Sequence, residues 1–159
     1  MSVNTRAVAG RREVYYNSLQ DFQDDVEQLA SGEIVRLGNW SPGQVFMHLA
    51  RAMQMSIDGT DATAPWYLRL GARLIRSRLI KGPMQPGFKL PPHAETALVA
   101  GATSTEEGLA ALRAAIARLE REAPRAAHPL LGALTPDEWL RLHLTHAALH
   151  MSFLRPAGG

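Results

Sequence analysis

The sequence predicts an all-α fold, a bundle of four principal helices, and three observations carry that prediction. Three segments open on a capping box: Ser41 with Gln44, Ser104 with Glu107, and Thr135 with Glu138. In each, the hydroxyl can take an orphan backbone N–H while the longer side chain reaches back to the cap. The apolar residues after these starts recur at helical spacing, and no stretch shows a convincing alternation of a half-buried strand.

The first helix is read from Tyr15, Leu19, Phe22, Val26 and Leu29, one face of a helix that Ser31 and Gly32 stop. Asp21, Asp24, Asp25 and Glu27 lie mostly off that stripe, as the solvated side of an amphipathic helix does. The second helix starts at Ser41, with Pro42 at the first helical position, and runs to about Ile57 before Asp58 and Gly59 break it. A long mixed segment follows to Thr103. Within it, Trp66 to Ile80 reads as a basic amphipathic helix and Gly82 to Pro92 as a Pro/Gly-rich loop. The third principal helix opens at Ser104, carries Leu109, Leu112, Ile116 and Leu119 as its stripe, and ends before Pro124. The last begins at Thr135 with Pro136 and runs to about Leu154. The connection between the second and third principal helices is far longer than a hairpin needs, which allows them to run parallel with a crossover that contains the extra helix.

Length and composition narrow the classes. A chain of 159 residues, 46% apolar and 20% charged, has the size and balance of one globular domain, with residues 1–12 expected to be flexible. It contains no cysteine, so thiolate nucleophiles, iron–sulfur clusters and disulfides are excluded, and any metal must be held by His, Asp or Glu. No apolar run is long enough for a signal peptide or a membrane span, so a cytoplasmic location is the expectation. A formal charge of +2 gives no ground for expecting nucleic acid as a partner.

The histidines are the chemically informative residues. His143, His146 and His150 follow one another at steps of three and four, which returns each to one helix face. His48 lies on the second helix beside Val45, Leu49 and Ala52, where the pattern predicts burial. Two helices therefore present imidazoles to one core. Burying several unpaired imidazoles costs desolvation without return, so spacing leaves three readings: a bound ion, a polar pocket, or a plain core of hydrogen-bonded histidines. In the first, His146 and His150 grip one ion from a single helix and His48 is the third ligand, with a position left open as in catalytic zinc sites. His143 could replace His146, donate to a ligand, or carry protons. Gln44, one turn before His48, is a candidate to orient it, although the capping box accounts for it better. Trp139 is a candidate pocket wall.

The residues Trp40, Ser41, Pro42, Gln44, His48, Leu49 and Ala50, with His128, Pro129, Gly132, Trp139, His146 and His150 near the end, resemble the signatures of the DinB-like superfamily. Leu37, Gly38, Asn39 and Trp40, together with the ending Met151 to Pro156, are similar to a branch described as a domain of unknown function. The resemblance implies a DinB-like four-helix bundle in up-down-down-up order, commonly a homodimer. It also implies one divalent metal, nickel or zinc first and manganese or iron next, on His48, His146 and His150. Relatives include transferases that join bacillithiol or mycothiol to electrophiles, and others described as hydrolases. The implied function is thus metal-dependent activation of a thiol or water, acting on a small molecule. Where relatives often double the histidine near the end, this chain has Leu149 before His150.

Rival readings are a metal-free small-molecule or partner-binding bundle, and docking of Trp66–Lys81 on an acidic membrane surface. Against docking, Leu68, Leu70, Leu74, Ile75 and Leu79 would be buried more simply by covering the bundle or by forming a dimer face.

Overall fold

The computed structural model describes residues 2–61, 63–87 and 98–158. In chain order the elements are a short 3-10 turn (Thr5–Ala7), α1 (Leu19–Ala30), β1 (Ile34–Arg36), α2 (Pro42–Asp58), α3 (Trp66–Leu74), α4 (Arg76–Lys81), α5 (Thr105–Arg121), α6 (Pro136–Met151) and β2 (Leu154–Pro156). The fold is an all-α bundle with extra helices, closed by one small antiparallel strand pair.

All three capping boxes form: the hydroxyls of Ser41, Ser104 and Thr135 accept from the third helical N–H, and the side chains of Gln44, Glu107 and Glu138 return the bond. The first helix departs from its expected start. Ser18 caps it, four residues beyond Val14, and Tyr15 is 71% exposed while Tyr16 is buried. Ahead of the cap the backbone is not helical, so the helical phase that placed Tyr15 on the stripe does not reach it.

The main core joins Phe22, Val26 and Leu29 of α1 to Phe46, Leu49 and Met53 of α2, with Leu112 and Ile116 of α5 and Leu144 and Met151 of α6 packed against them. Its closest helix pair is α2 with α5. Gly43 and Gly108 meet in the first turns, where a Cβ on Gly108 would strike the carbonyl oxygen of Gly43. At the other end Arg118 clasps Asp58 with two 2.6 Å bonds. First turn on first turn and last turn on last turn, the two helices run side by side in one direction. That is the arrangement the long connection allowed.

One expectation is corrected at the end of the last helix. The last helix stops at Met151, short of Leu154, because Ser152 caps it and Leu154–Pro156 pairs with β1 in the register Ile34↔Pro156 and Arg36↔Leu154. Strands of three residues are too short for an alternation to be read from sequence. Residues 2–12, expected to be flexible, make side-chain contacts with the rest of the chain. Val3 and Asn39 exchange bonds of 2.6 and 2.9 Å, Arg11 donates to Ser152 Oγ, and Arg12 forks onto Asp25.

The Trp66–Ile80 helix is broken at Ile75, where φ is −110°. A second cluster of Ala72, Ile80, Leu131, Trp139 and Leu142 holds the two pieces to α6. Of the two ways to bury the leucines of α3, covering the bundle is not the one taken: Leu70 is 57% and Leu74 85% exposed. The expected loop is described only as far as residue 87; its remainder, to 92, lies outside the described residues. Among the described residues no helix is long and apolar enough to cross a membrane.

Candidate metal centre

The clasp of β1 on β2 determines where the histidines go. It returns the end of α6 to the loop between α1 and α2, so the last turn of α6 lies over the second turn of α2. His48 comes from α2, and His146 and His150 come from successive turns of α6. Their ligand-capable nitrogens all lie within 4.8 Å of one another, a three-histidine group able to coordinate a metal ion.

Two of these rings are oriented by identifiable partners. Nδ1 of His48 lies 3.0 Å from the carbonyl oxygen of Leu98. A carbonyl only accepts, so Nδ1 carries the hydrogen, and in a neutral ring Nε2 is left as a lone pair. That lone pair points at Nε2 of His146, 3.0 Å away. The other oriented ring is His150, which stacks parallel on Trp40 with centroids 5.2 Å apart; Trp40 also tilts against His48 at 4.8 Å.

The electrostatics favour neutral rings. His48 is buried, and burial holds its pKa below the ordinary imidazole value, with the Leu98 hydrogen bond working the other way. Burial first, and the neighbouring imidazoles second, hold His146 well below it, and burial with the proximity of His48 does the same to His150. A neutral imidazole is the form that ligates. One pair of the set also fits an ion by distance: with nitrogen–metal bonds of about 2.0 Å, nitrogens in a tetrahedral site stand roughly 3.3 Å apart. The His48–His146 separation of 3.0 Å is close to that.

The remaining sequence candidates are placed elsewhere. His143 is buried a turn below, with Nε2 2.9 Å from Ser56 Oγ. Ser56 donates its own hydrogen to the Met53 carbonyl, so His143 is the donor to Ser56. Burial pushes its pKa down to about 3. Gln44 is engaged elsewhere: its carbonyl accepts from the Ser41 N–H within the cap, and its amide donates to the Ala100 carbonyl in the segment ahead of α5. Trp139 is 2% exposed within the second cluster, stacked on His143 and donating Nε1–H to the Ala126 carbonyl.

The aromatic against the three-histidine group is therefore Trp40. Its position immediately before the Ser41 cap was a usable signal, because a residue there packs back over the helix it precedes. The Leu98 carbonyl carried no such signal, since a main-chain acceptor has no side-chain identity to read.

A family model described as a protein of unknown function, DUF1569, matches residues 8–157. No curated protein and no solved structure matches.

Proposed function

This chain belongs to the DUF1569 family, described as proteins of unknown function, and from that premise we propose that it is a DinB-like metalloprotein. In this reading His48, His146 and His150 hold one divalent ion, nickel or zinc first. The observation that carries it is the opposed pair of Nε2 atoms on His48 and His146, 3.0 Å apart, with the first ring's tautomer held by Leu98. Without an ion the gap admits only one hydrogen bond between a buried ring, His48, and a half-buried one, His146.

The same proposal takes the whole chain as one domain, with the four principal helices α1, α2, α5 and α6 in up-down-down-up order. Support comes from the side-by-side first and last turns of α2 and α5, and from the β1–β2 clasp at the end of α6. The homodimer that the resemblance implies is part of the proposal.

We further propose an enzyme of the thiol S-transferase or hydrolase type. A divalent ion with three protein ligands and an open position lowers the pKa of a thiol or water that joins it, supplying an anionic nucleophile at neutral pH. The chain's own residues do the rest. Leu98 keeps a lone pair of His48 directed into the site, Trp40 holds the plane of His150, and the surrounding core keeps all three rings neutral. An open surface depression lined by Arg51, Gln54, Met55, Asp58 and Leu98 borders the residue whose carbonyl orients His48. The missing cysteine fits a thiol brought by a cosubstrate.

The test is the metal content, by plasma mass spectrometry, of untagged protein purified without chelator, beside His48→Ala and His146→Ala. Near-stoichiometric metal lost in both variants is expected, followed by thiol-transfer and ester-hydrolysis assays with the ion found. A wild type that is metal-free and takes up none of nickel, zinc or manganese would sink the proposal.

A further inference from the structure

The face of α3 that turns away from the bundle is built unlike the rest of the surface. Trp66, Leu70 and Leu74 follow at steps of four, so they form one stripe along the helix, and they are 74%, 57% and 85% exposed. Tyr67, in ring contact with Trp66 and 59% exposed, widens it. Arg69 and Arg73, both exposed, follow the stripe along one edge. The stripe is held outward, because Ala72 and Ile80 are buried in the second cluster and Arg76 is anchored to Glu138 and to the Ala133 carbonyl. Exposed leucines on a helix fixed in this way are a partner surface and not a loosely packed one.

The charge pattern selects the partner. From Trp66 to Lys81 there are five cations, Arg69, Arg73, Arg76, Arg78 and Lys81, and no acidic residue. Of these, Arg76 is taken by Glu138. A second copy docking this face about a twofold axis would gather Arg69 and Arg73 of both copies at one seam, with no acidic residue of α3 or α4 to meet them, so self-association through it is opposed. Nucleic acid would satisfy the arginines but leave the stripe in water. An anionic lipid surface satisfies both: leucines enter the acyl boundary, Trp and Tyr sit at headgroup level, and the arginines meet the phosphates.

We propose that α3, with the cationic α4 behind it, docks this protein peripherally on anionic membranes, lying in the interface plane. The attachment is reversible and independent of the three-histidine group.

Cosedimentation of the full-length protein with phosphatidylglycerol/phosphatidylcholine vesicles at low ionic strength tests it, beside vesicles of phosphatidylcholine alone. Binding to the anionic vesicles only is expected, weakened by salt, with a blue shift of tryptophan emission that disappears in Trp66→Ser. Leu70→Ser/Leu74→Ser should abolish binding, and each of Arg69→Gln and Arg73→Gln should weaken it roughly fivefold. These positions are exposed, so far-UV dichroism and metal content should not change. No binding at low salt, or equal binding to neutral vesicles, overturns the proposal. So does a dimer, seen by sedimentation velocity, that dissociates in Leu70→Ser/Leu74→Ser, which would make a second copy the occupant. Binding to duplex DNA without binding to vesicles would overturn it equally.

Discussion

Trp40 and His150 lie parallel with ring centroids 5.2 Å apart, although 110 positions separate them in the chain. The contact exists because Trp40 immediately precedes the cap of α2 while His150 lies in the last turn of α6, next to the β1–β2 clasp. An aromatic plate against one imidazole limits its rotation, and orientation of a ring is what turns a nearby nitrogen into a ligand.

Removing the plate should therefore loosen the site without unfolding the bundle. Trp40→Ala is expected to weaken metal affinity by about 10- to 100-fold, with partial recovery in Trp40→Phe. Competition titration against a chromogenic chelator reads this directly. Unchanged affinity in Trp40→Ala would show that the stack plays no part in holding the ring.

Metal-free protein should lose stability as the pH falls below about 6.5. Burial pushes the folded-state pKa of His128 down to about 4 and that of His143 to about 3, so both stay neutral in the fold while the unfolded chain takes up protons. A depressed folded value means stability that is complete above the unfolded pKa and lost on acidification, by about 1.4 kcal/mol per pH unit for each such histidine. His143→Phe keeps an aromatic against Trp139 and should flatten the slope by one histidine's share between about pH 6 and pH 4 in urea titrations. An unaltered slope would mean that His143 is accessible to protons in the folded state.

Asp25 offers a second acid-sensitive point. It accepts from Arg12 at 2.7 and 2.8 Å and from the Tyr16 hydroxyl at 2.5 Å. Burial pushes its pKa up, but these bonds outweigh burial and leave it below the ordinary carboxylate value. Its contribution is present at neutral pH and is lost as the pH falls below about 4. Asp25→Asn is expected to cost about 2 kcal/mol at pH 7, a figure already reduced for the pair's partial exposure, and less in acid. Equal losses at both pH values would contradict the charge assignment.

The α2–α5 contact should tolerate no side chain. A Cβ on Gly108 meets the main chain of Gly43, and backbone cannot swing aside as a side chain does. Gly108→Ala is expected to destabilise by about 1–3 kcal/mol despite alanine's better helix propensity. If thermal unfolding instead moved upward, helix propensity would outweigh the clash and the close approach would be slack.

Much of the helical framework could be read in advance because its signals are local. Ser41–Gln44, Ser104–Glu107 and Thr135–Glu138 each specify a helix start within four residues. His146 and His150 share a helix face by spacing alone, and the run of Val45, His48, Leu49 and Ala52 predicted a buried His48. The local reading failed where it carried helical phase across a cap, as at Tyr15, and it left open whether Leu70 and Leu74 cover the bundle, which their exposure decides against.

By itself, then, the sequence determined the helix starts, the apolar faces of the principal helices, and which histidines could share a face, because caps and the 3.6-residue period act over one or two turns. Tertiary structure alone decided that His48 meets His146, that Leu98 directs its lone pair, that Trp40 rather than Trp139 lies against the group, and that His143 turns to Ser56. Each of those contacts joins residues far apart in the chain. They depend on how the β1–β2 clasp and the Gly43–Gly108 approach set the helices against one another, which no local pattern encodes.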